Sequence, residues 1–409
     1  MADLRPDDAG QLREAVASAV ADGRTLEVRA GGSKTGLGRP VDAADRLDIS
    51  ALRGVIDYQP EELVLTARPA TPLGEVEAIL AQRGQHLAFE PADYGPFYGQ
   101  AAGGTTLGGI LAANVAGPRR IQAGAARDHF LGLAGVSGRG EAFKAGGKVV
   151  KNVTGYDLGK LLAGSHGTLA VLTEVSVKVL PAPEKTRTIL ILGLDDAAAG
   201  RTMTQALQSP HDVSAAAHLP ARLAARSAVG YVRDAGAAVT AIRIEGFGPS
   251  VAARLAALRQ ALAAAGELEE LHTHNSLAFW REIRDVRPLT ASDNGDDRMV
   301  WRLSVPPAAG ADVAATIGAA RAADWFFDWG GGLVWLALDG GEDAAADLVR
   351  RAADAAGGYA TLARAPAAVR RAVPVFHPQP EPLAALSARI KASFDPSAVL
   401  NPGRMYAGV

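Results

Sequence analysis

Three glycine-rich runs within the first 183 residues constrain this chain most strongly: RAGGSKTGLG from Arg29, GGTTLGGILAANVAG from Gly103 and GYDLGKLLAGSHGTLAVLTEVSVKV from Gly155. The first run overlaps a short β-prone segment, TLEVRA, and offers consecutive backbone N–H groups in conformations that only glycine adopts cheaply. That geometry suits an anion, with a diphosphate the obvious guest. Spacing rules out two familiar phosphate loops. A Rossmann fingerprint needs G-x-G-x-x-G opening a helix, whereas Arg39-Pro40 follows here. A Walker loop needs Gly-Lys-Ser or Gly-Lys-Thr, whereas Gly36 is followed by Leu37 and Lys34 lies inside the loop. Alone, the first run reads equally well as an ordinary turn after a strand. Three such runs in one lobe suit a single long dinucleotide better than three independent turns.

The hydrophobic pattern predicts a helix near residues 7–22, a strand ending at Gly31-Gly32, and a second strand in ELVLTARPA from Glu62. A helix follows in TPLGEVEAILAQRG, with Thr71 as its cap, Pro72 in first position and Glu75 in the first turn. Residues 88–117 are too apolar for a linker and too glycine-rich for regular structure, so a packed loop is expected there. An alternating strand, LAVLTEVSVKVL from Leu169, closes at Pro181 and Pro183, and TRTILILGL from Thr186 opens a series of different composition. All five Trp residues, at 280, 301, 325, 329 and 335, fall in the C-terminal half and mark a separate core. There AIRIEGF, MVWRLSVP and GLVWLALDG alternate with helices near 250–265, 311–322 and 342–356, the pattern of an antiparallel sheet covered on one face by helices. The expectation is an α+β chain: a first domain over 1–183, divided near 55, a second over 184–379, and a helix and turns over 380–409 that return to the first.

Composition narrows the function. The net charge of −2 and the lack of a Lys/Arg block argue against nucleic acid as a partner. With no cysteine, the chain supplies no disulfide, thiolate nucleophile or iron–sulfur ligand; any such centre would sit on a partner. The N-terminal residues read as a charged amphipathic helix rather than an export signal, and no uncharged run of 18 apolar residues occurs. A cytoplasmic protein is expected, peripheral to the inner membrane at most through its partners.

The order RAGGSKTG, TTLGGILAANVAG, KNVTGYDLGKLLAGSHGTLAVLTEVSVKVLP and, near the end, FDPSAVLNPGR resembles the vanillyl-alcohol-oxidase-type (PCMH-type) FAD-binding flavoproteins. Within them, AGPRR at 116–120 and KNVTGYDL at 151–158 are most similar to the smaller FAD-binding subunits of bacterial glycolate oxidases. The likeness is close over residues 25–183, good over the last 30 or so and thin across the middle. It implies a two-subdomain FAD-binding domain followed by a cap domain. It further implies that the amides of Gly31, Gly32, Ser33, Lys34 and Thr35 hold the FAD diphosphate. Thr106, Gly108, Gly109 and Asn114 would line the isoalloxazine and ribityl portion, Gly167 and Val171 the adenine side, and Asn401 would reach back toward the flavin. Asp157 counts among the cofactor contacts, and it is also placed to cap the helix that follows it.

Covalent relatives carry a histidine just after the first Gly-Gly pair, where this chain has Ser33, so non-covalent FAD is expected. Relatives that oxidise 2-hydroxy acids carry metal-binding histidines and an H-G-D-G-N-type stretch in the second domain; neither is present, and His272 and His274 read as a polar loop. Hydroxy-acid dehydrogenation needs a cation for the carboxylate, a base and a hydride acceptor. No catalytic residue is assigned. The candidates are Arg119 and Arg120, with a surface ion pair as the alternative, Lys151 beside Lys148, and His377, alternatively a structural histidine. The resemblance implies glycolate or another small 2-hydroxy acid as substrate, with a larger FAD-binding catalytic subunit and an iron–sulfur subunit as partners. An auxiliary FAD subunit, with catalysis on the paralogous larger subunit, stays open beside it.

Overall fold

The computed structural model describes residues 2–147, 155–290 and 298–408. They form two compact units, one of residues 1–115, 124–181 and 374–409 and another of 116–123 and 182–373. The sequence pattern placed the breaks at 183 and 379; the packing places them at 181 and 373 and sets residues 116–123 in the second unit.

The first unit begins with the helix Ala9–Ala21, started by Asp8, whose carboxylate accepts from Gln11 N at 2.8 Å. Leu12, Val16 and Ala19 recur at helical spacing and are buried. They pack beside a parallel sheet in the order Asp3–Leu4, Asp45–Asp48, Leu26–Arg29. The C-terminal segment pairs with that sheet: Leu26 N donates to Val399 O at 2.7 Å, and Asn401 N to Leu26 O at 2.9 Å. An antiparallel sheet follows in the order Val55–Gln59, Val64–Ala67, Ala170–Lys178, Phe130–Ser137, Ala142–Gly146. One core joins the two sheets and the C-terminus, with Leu26 and Leu47 against Val136, Val171 and Leu400.

Two local expectations are corrected. Thr71 caps no helix: its hydroxyl donates to Arg68 O at 2.7 Å, and the helix Leu73–Ala81 starts after Pro72 without a side-chain cap. Nor is the 88–117 stretch wholly irregular. It contains the helix Leu107–Ala113, capped by Thr106, in which Gly108 runs so close to the chain that an added Cβ would meet Pro69 Cβ at 2.5 Å. Glycine is there for proximity, not for flexibility.

The turn FDPSAVLNPG is locked by one buried pair. Lys391, from the helix Glu381–Phe394, donates to Asp395 at 2.6 Å and to the carbonyls of Thr168 and Leu400 at 2.7 and 3.0 Å. Asp395 in turn accepts from Val399 N and Leu400 N. Beyond their mutual bond, Lys391 donates to two backbone carbonyls and Asp395 accepts from two backbone N–H groups, which makes burying both charges tolerable.

The second unit is an eight-stranded antiparallel sheet built as two βαββαβ halves, Lys185–Leu192 to Glu267–Leu271 and Met299–Ser304 to Tyr359–Arg364. Their strand orders mirror each other and meet at the pairing of Val213–Leu219 with Ala323–Asp328, through His218 and Phe327. Among the described residues, no helix is long and apolar enough to cross a membrane.

Replacing Asp395 by Ala leaves Lys391 buried without its counter-ion, and the cost is expected to be about 3–5 kcal/mol. Denaturant unfolding followed by circular dichroism should show this as a lower midpoint, whereas Lys160→Ala, which removes an exposed pair with Asp157, should shift it little.

Candidate functional site: a glycine-lined cleft in the first unit

A glycine-lined cleft opens in the first unit. Gly31, Gly32, Ser33, Lys34 and Thr35 form one side, and Thr106, Gly108 and Gly109 another. His166, Gly167 and residues 170–172 close the third side, with Asn401 and Arg404 from the C-terminus. Its shape depends on backbone meeting backbone. A Cβ on Gly31 would lie 2.0 Å from Gly104 O, and Gly32 and Gly167 turn at φ +72° and +71°. Asn401 clamps two sides together: its Oδ1 accepts from Val28 N at 2.8 Å, while its Nδ2 donates to His166 O at 2.9 Å and Gly167 O at 3.3 Å. Arg404 fixes the glycine loop by donating to Lys34 O at 2.9 Å.

The electrostatics favour an anion. Among the described residues, the N–H groups of Gly31, Gly32, Ser33 and Lys34 have no intramolecular acceptor, and all four residues line the cleft. Lys34 stands among them, its ammonium 3.2 Å from Ser33 Oγ and 3.4 Å from Thr105 Oγ1. Thr105 donates to Asp93 at 2.7 Å, and Asp93 also accepts from the N–H groups of Gly95 and Gly103. Burial lowers the Lys34 ammonium to about 8, against the upward pull of Asp93. Burial, with a smaller contribution from Arg404, lowers the His166 imidazole to about 3, so His166 meets any guest as a neutral ring. Arg29 also lines the cleft, and its buried Nε has no partner. Free amides, cationic side chains and a cradle that Cβ atoms would fill fit a diphosphate. The apolar stretch of Val28, Ile49, Ala170, Val171 and Leu172 fits a flat ring.

Of the residues expected to touch the cofactor, Gly31, Gly32, Ser33, Lys34, Thr35, Thr106, Gly108, Gly109, Gly167, Val171 and Asn401 converge on this cleft. Asn114 and Asp157 do not line it. Asn114 ends its helix at φ +48° and accepts from Arg127 N at 3.0 Å, and Asp157 caps Leu158–Leu162 by accepting from Lys160 N at 3.1 Å. The catalytic candidates scatter. Lys151, with Lys148, lies outside the described residues. His377 is absent from the cleft lining, and its carbonyl accepts from the Tyr406 hydroxyl at 3.4 Å. Arg119 belongs to the second unit, where it makes a buried bidentate pair with Glu245 at 2.7 and 2.9 Å rather than a surface one. Burial would raise the Glu245 carboxyl, but Arg243 and Arg119 hold it well below the usual range. Arg120, also in the second unit, packs over the Trp329 ring at 4.6 Å. His166 and Arg404 are cleft residues that pattern reading passes over, although each sits inside a quoted motif, SHGT and NPGR.

The family described as "FAD binding domain" matches residues 2–146, and the chain belongs to this family of FAD-binding flavoproteins. It is 36% identical over 405 residues to glycolate oxidase subunit GlcE of Escherichia coli (strain K12), covering 99% of each chain. A shorter match, 31% over 169 residues, links 41% of this chain to 33% of glycolate oxidase subunit GlcD of Bacillus subtilis (strain 168). The fold is that of p-cresol methylhydroxylase, whose substrate-bound crystal structure superimposes with a TM-score of 0.74 at 14% identity, over 98% of this chain and 88% of that one.

Gly31→Ala forces its methyl into the Gly104 carbonyl, and it is expected to lower FAD retention by tenfold or more. The ratio of visible to ultraviolet absorbance after purification checks this. Gly74→Ala, in a helix with no atom within 4 Å of the added methyl, should leave the ratio unchanged.

Proposed function

We propose that this chain is the FAD-binding subunit of a glycolate oxidase or dehydrogenase assembly, in which a 2-hydroxy acid is oxidised to the 2-oxo acid and electrons leave through the flavin to partner subunits. The observation that carries the reading is the end-to-end likeness to GlcE together with four acceptor-less amides in a glycine-lined cleft. FAD, when bound, supplies the hydride acceptor. The chain's own residues supply the rest. Gly31, Gly32, Ser33 and Lys34 donate to the diphosphate, and Thr35 closes their turn through its N–H on Gly32 O at 3.2 Å. Thr106, Gly108 and Gly109 shape one wall, Gly167 and Val171 the other, and Asn401 holds the walls at fixed separation. Neutral His166 adds no charge to a site whose cations are Lys34, Arg29 and Arg404.

Ser33 in the position of the attaching histidine supports non-covalent FAD. The absence of cysteine supports a larger FAD-binding subunit and an iron–sulfur subunit as partners, since one-electron relay requires clusters that this chain cannot ligate through thiolates. A cytoplasmic location, peripheral to the inner membrane at most through those partners, is part of the same proposal.

A second reading, an auxiliary FAD subunit whose larger paralogue does the chemistry, is favoured by one observation. The chain lacks the histidine-containing stretch of hydroxy-acid-oxidising relatives, and His272 is a largely exposed helix-start residue. Anaerobic addition of glycolate separates the two. Bleaching of the flavin in the isolated chain supports catalysis here; bleaching only after the larger subunit is added supports the auxiliary role; no bleaching in the full assembly contradicts both.

The buried Lys34 makes FAD affinity pH-dependent. Its ammonium titrates near 8 in the protein alone, and an adjacent diphosphate raises that value, so binding takes up a proton. Affinity is therefore full below pH 8 and declines as pH rises through and above it. A shift of about one unit gives a Kd rise approaching tenfold, and Lys34→Met should flatten the profile. Fluorimetric FAD titration between pH 7 and pH 10 checks the sign.

A further inference from the structure

The sheet of the second unit carries an arginine that rests against two indole rings and, among the described residues, against no carboxylate. Arg302, on Met299–Ser304, stands over the Trp329 ring at 5.0 Å and the Trp335 ring at 6.0 Å. Among the described residues it makes no ion pair and no hydrogen bond. The other arginines of this unit near a carboxylate are engaged, Arg119 and Arg243 with Glu245, and Arg298 and Arg222 with Asp324. A guanidinium held over an indole by cation–π attraction can still direct N–H donors to a further partner, and a planar carboxylate is the anion that matches their fork.

Strand register places Phe326, Trp335, Arg302 and Thr361 in one row across four strands, and residues directly opposite share a face. Two aromatic neighbours flank the cation on one side, and a hydroxyl lies on the other. Trp301 turns to the opposite face, where its indole N–H donates to Ala344 O at 3.0 Å. Trp329 is held in a left-handed conformation at φ +52°, followed by Gly330 at +66° and Gly331 at +100°. Such a conformation is rare for a bulky residue and persists only when its surroundings enforce it. Here Asp328 accepts from Trp329 N at 2.7 Å, and the indole donates to Gly117 O at 3.1 Å. Backbone strain thus fixes the ring on which Arg302 rests.

We infer that Arg302, beside the rings of Trp329 and Trp335 and neighboured in strand register by Thr361, binds the carboxylate of a small 2-hydroxy acid. The anion site rests on Arg302; only the choice of a hydroxy acid as guest rests on the functional reading above.

The test is calorimetric titration of the FAD-loaded chain with glycolate and with oxalate, comparing the unaltered protein with Arg302→Met and Arg302→Lys. Both anions should bind the unaltered protein. Arg302→Met should weaken them about tenfold or more, and Arg302→Lys, which keeps the charge but not the fork, should fall between, with FAD content unchanged in all three. Equal affinity in Arg302→Met, or no binding by the unaltered protein, overturns the site. Should the Met variant not fold, Arg302→Lys carries the comparison, and affinity equal to the unaltered protein's then overturns it. Glycolate bleaching of the flavin in the full assembly is recorded in parallel, so a failed anion site is distinguishable from a failed hydroxy-acid function.

Discussion

The close passage of Gly31 beside the carbonyl of Gly104 is the constraint on which the first unit depends. At this distance no side chain fits at Gly31, so the first glycine loop and the segment leading into Leu107–Ala113 meet backbone to backbone, with the Thr105 and Ser33 hydroxyls hydrogen-bonded at 3.0 Å beside the contact. The arrangement leaves consecutive N–H groups without acceptors along the cleft, where a diphosphate can satisfy them. Binding specificity for a dinucleotide then comes from shape and oriented amides more than from charged side chains.

Residues far apart in sequence keep that passage in place. Asn401 ties Val28 to the 166–167 turn, and Arg404 ties down Lys34; both depend on a C-terminal turn that the buried Lys391–Asp395 pair organises. In the second unit, the Arg119–Glu245 pair plays a comparable role for residues 116–123, which leave the first unit's sequence to pack with the strands around Val213–Leu219 and Val239–Gly246. A motif that reads as a candidate catalytic arginine pair is thus divided: Arg119 is consumed by structure, and Arg120 lies on an indole.

Much of the site is legible in the sequence because backbone sites leave a compositional trace. Glycines at 31, 32, 108, 109 and 167 can be recognised from their clustering, and the strands that carry them from alternation. Side-chain roles are less legible. Asn114 and Asp157 sit in the right motifs but serve helix ends, because Asn at a left-handed C-cap and Asp at an N-cap are satisfied locally. His166 leaves no signal of its own, since neutrality here arises from burial and from Arg404, a residue more than two hundred positions away. The mirrored halves of the second unit escape pattern reading because a fold repeat constrains strand order and burial, not residue identity.

The central claim is that the glycine-lined cleft of the first unit holds one non-covalent FAD. Its most direct measurement is the flavin content of the purified chain, read from the visible spectrum before and after acid precipitation. One FAD per chain, released intact into the supernatant, is the predicted result. A colourless chain that takes up no FAD on reconstitution, or flavin that stays with the precipitate, would contradict it.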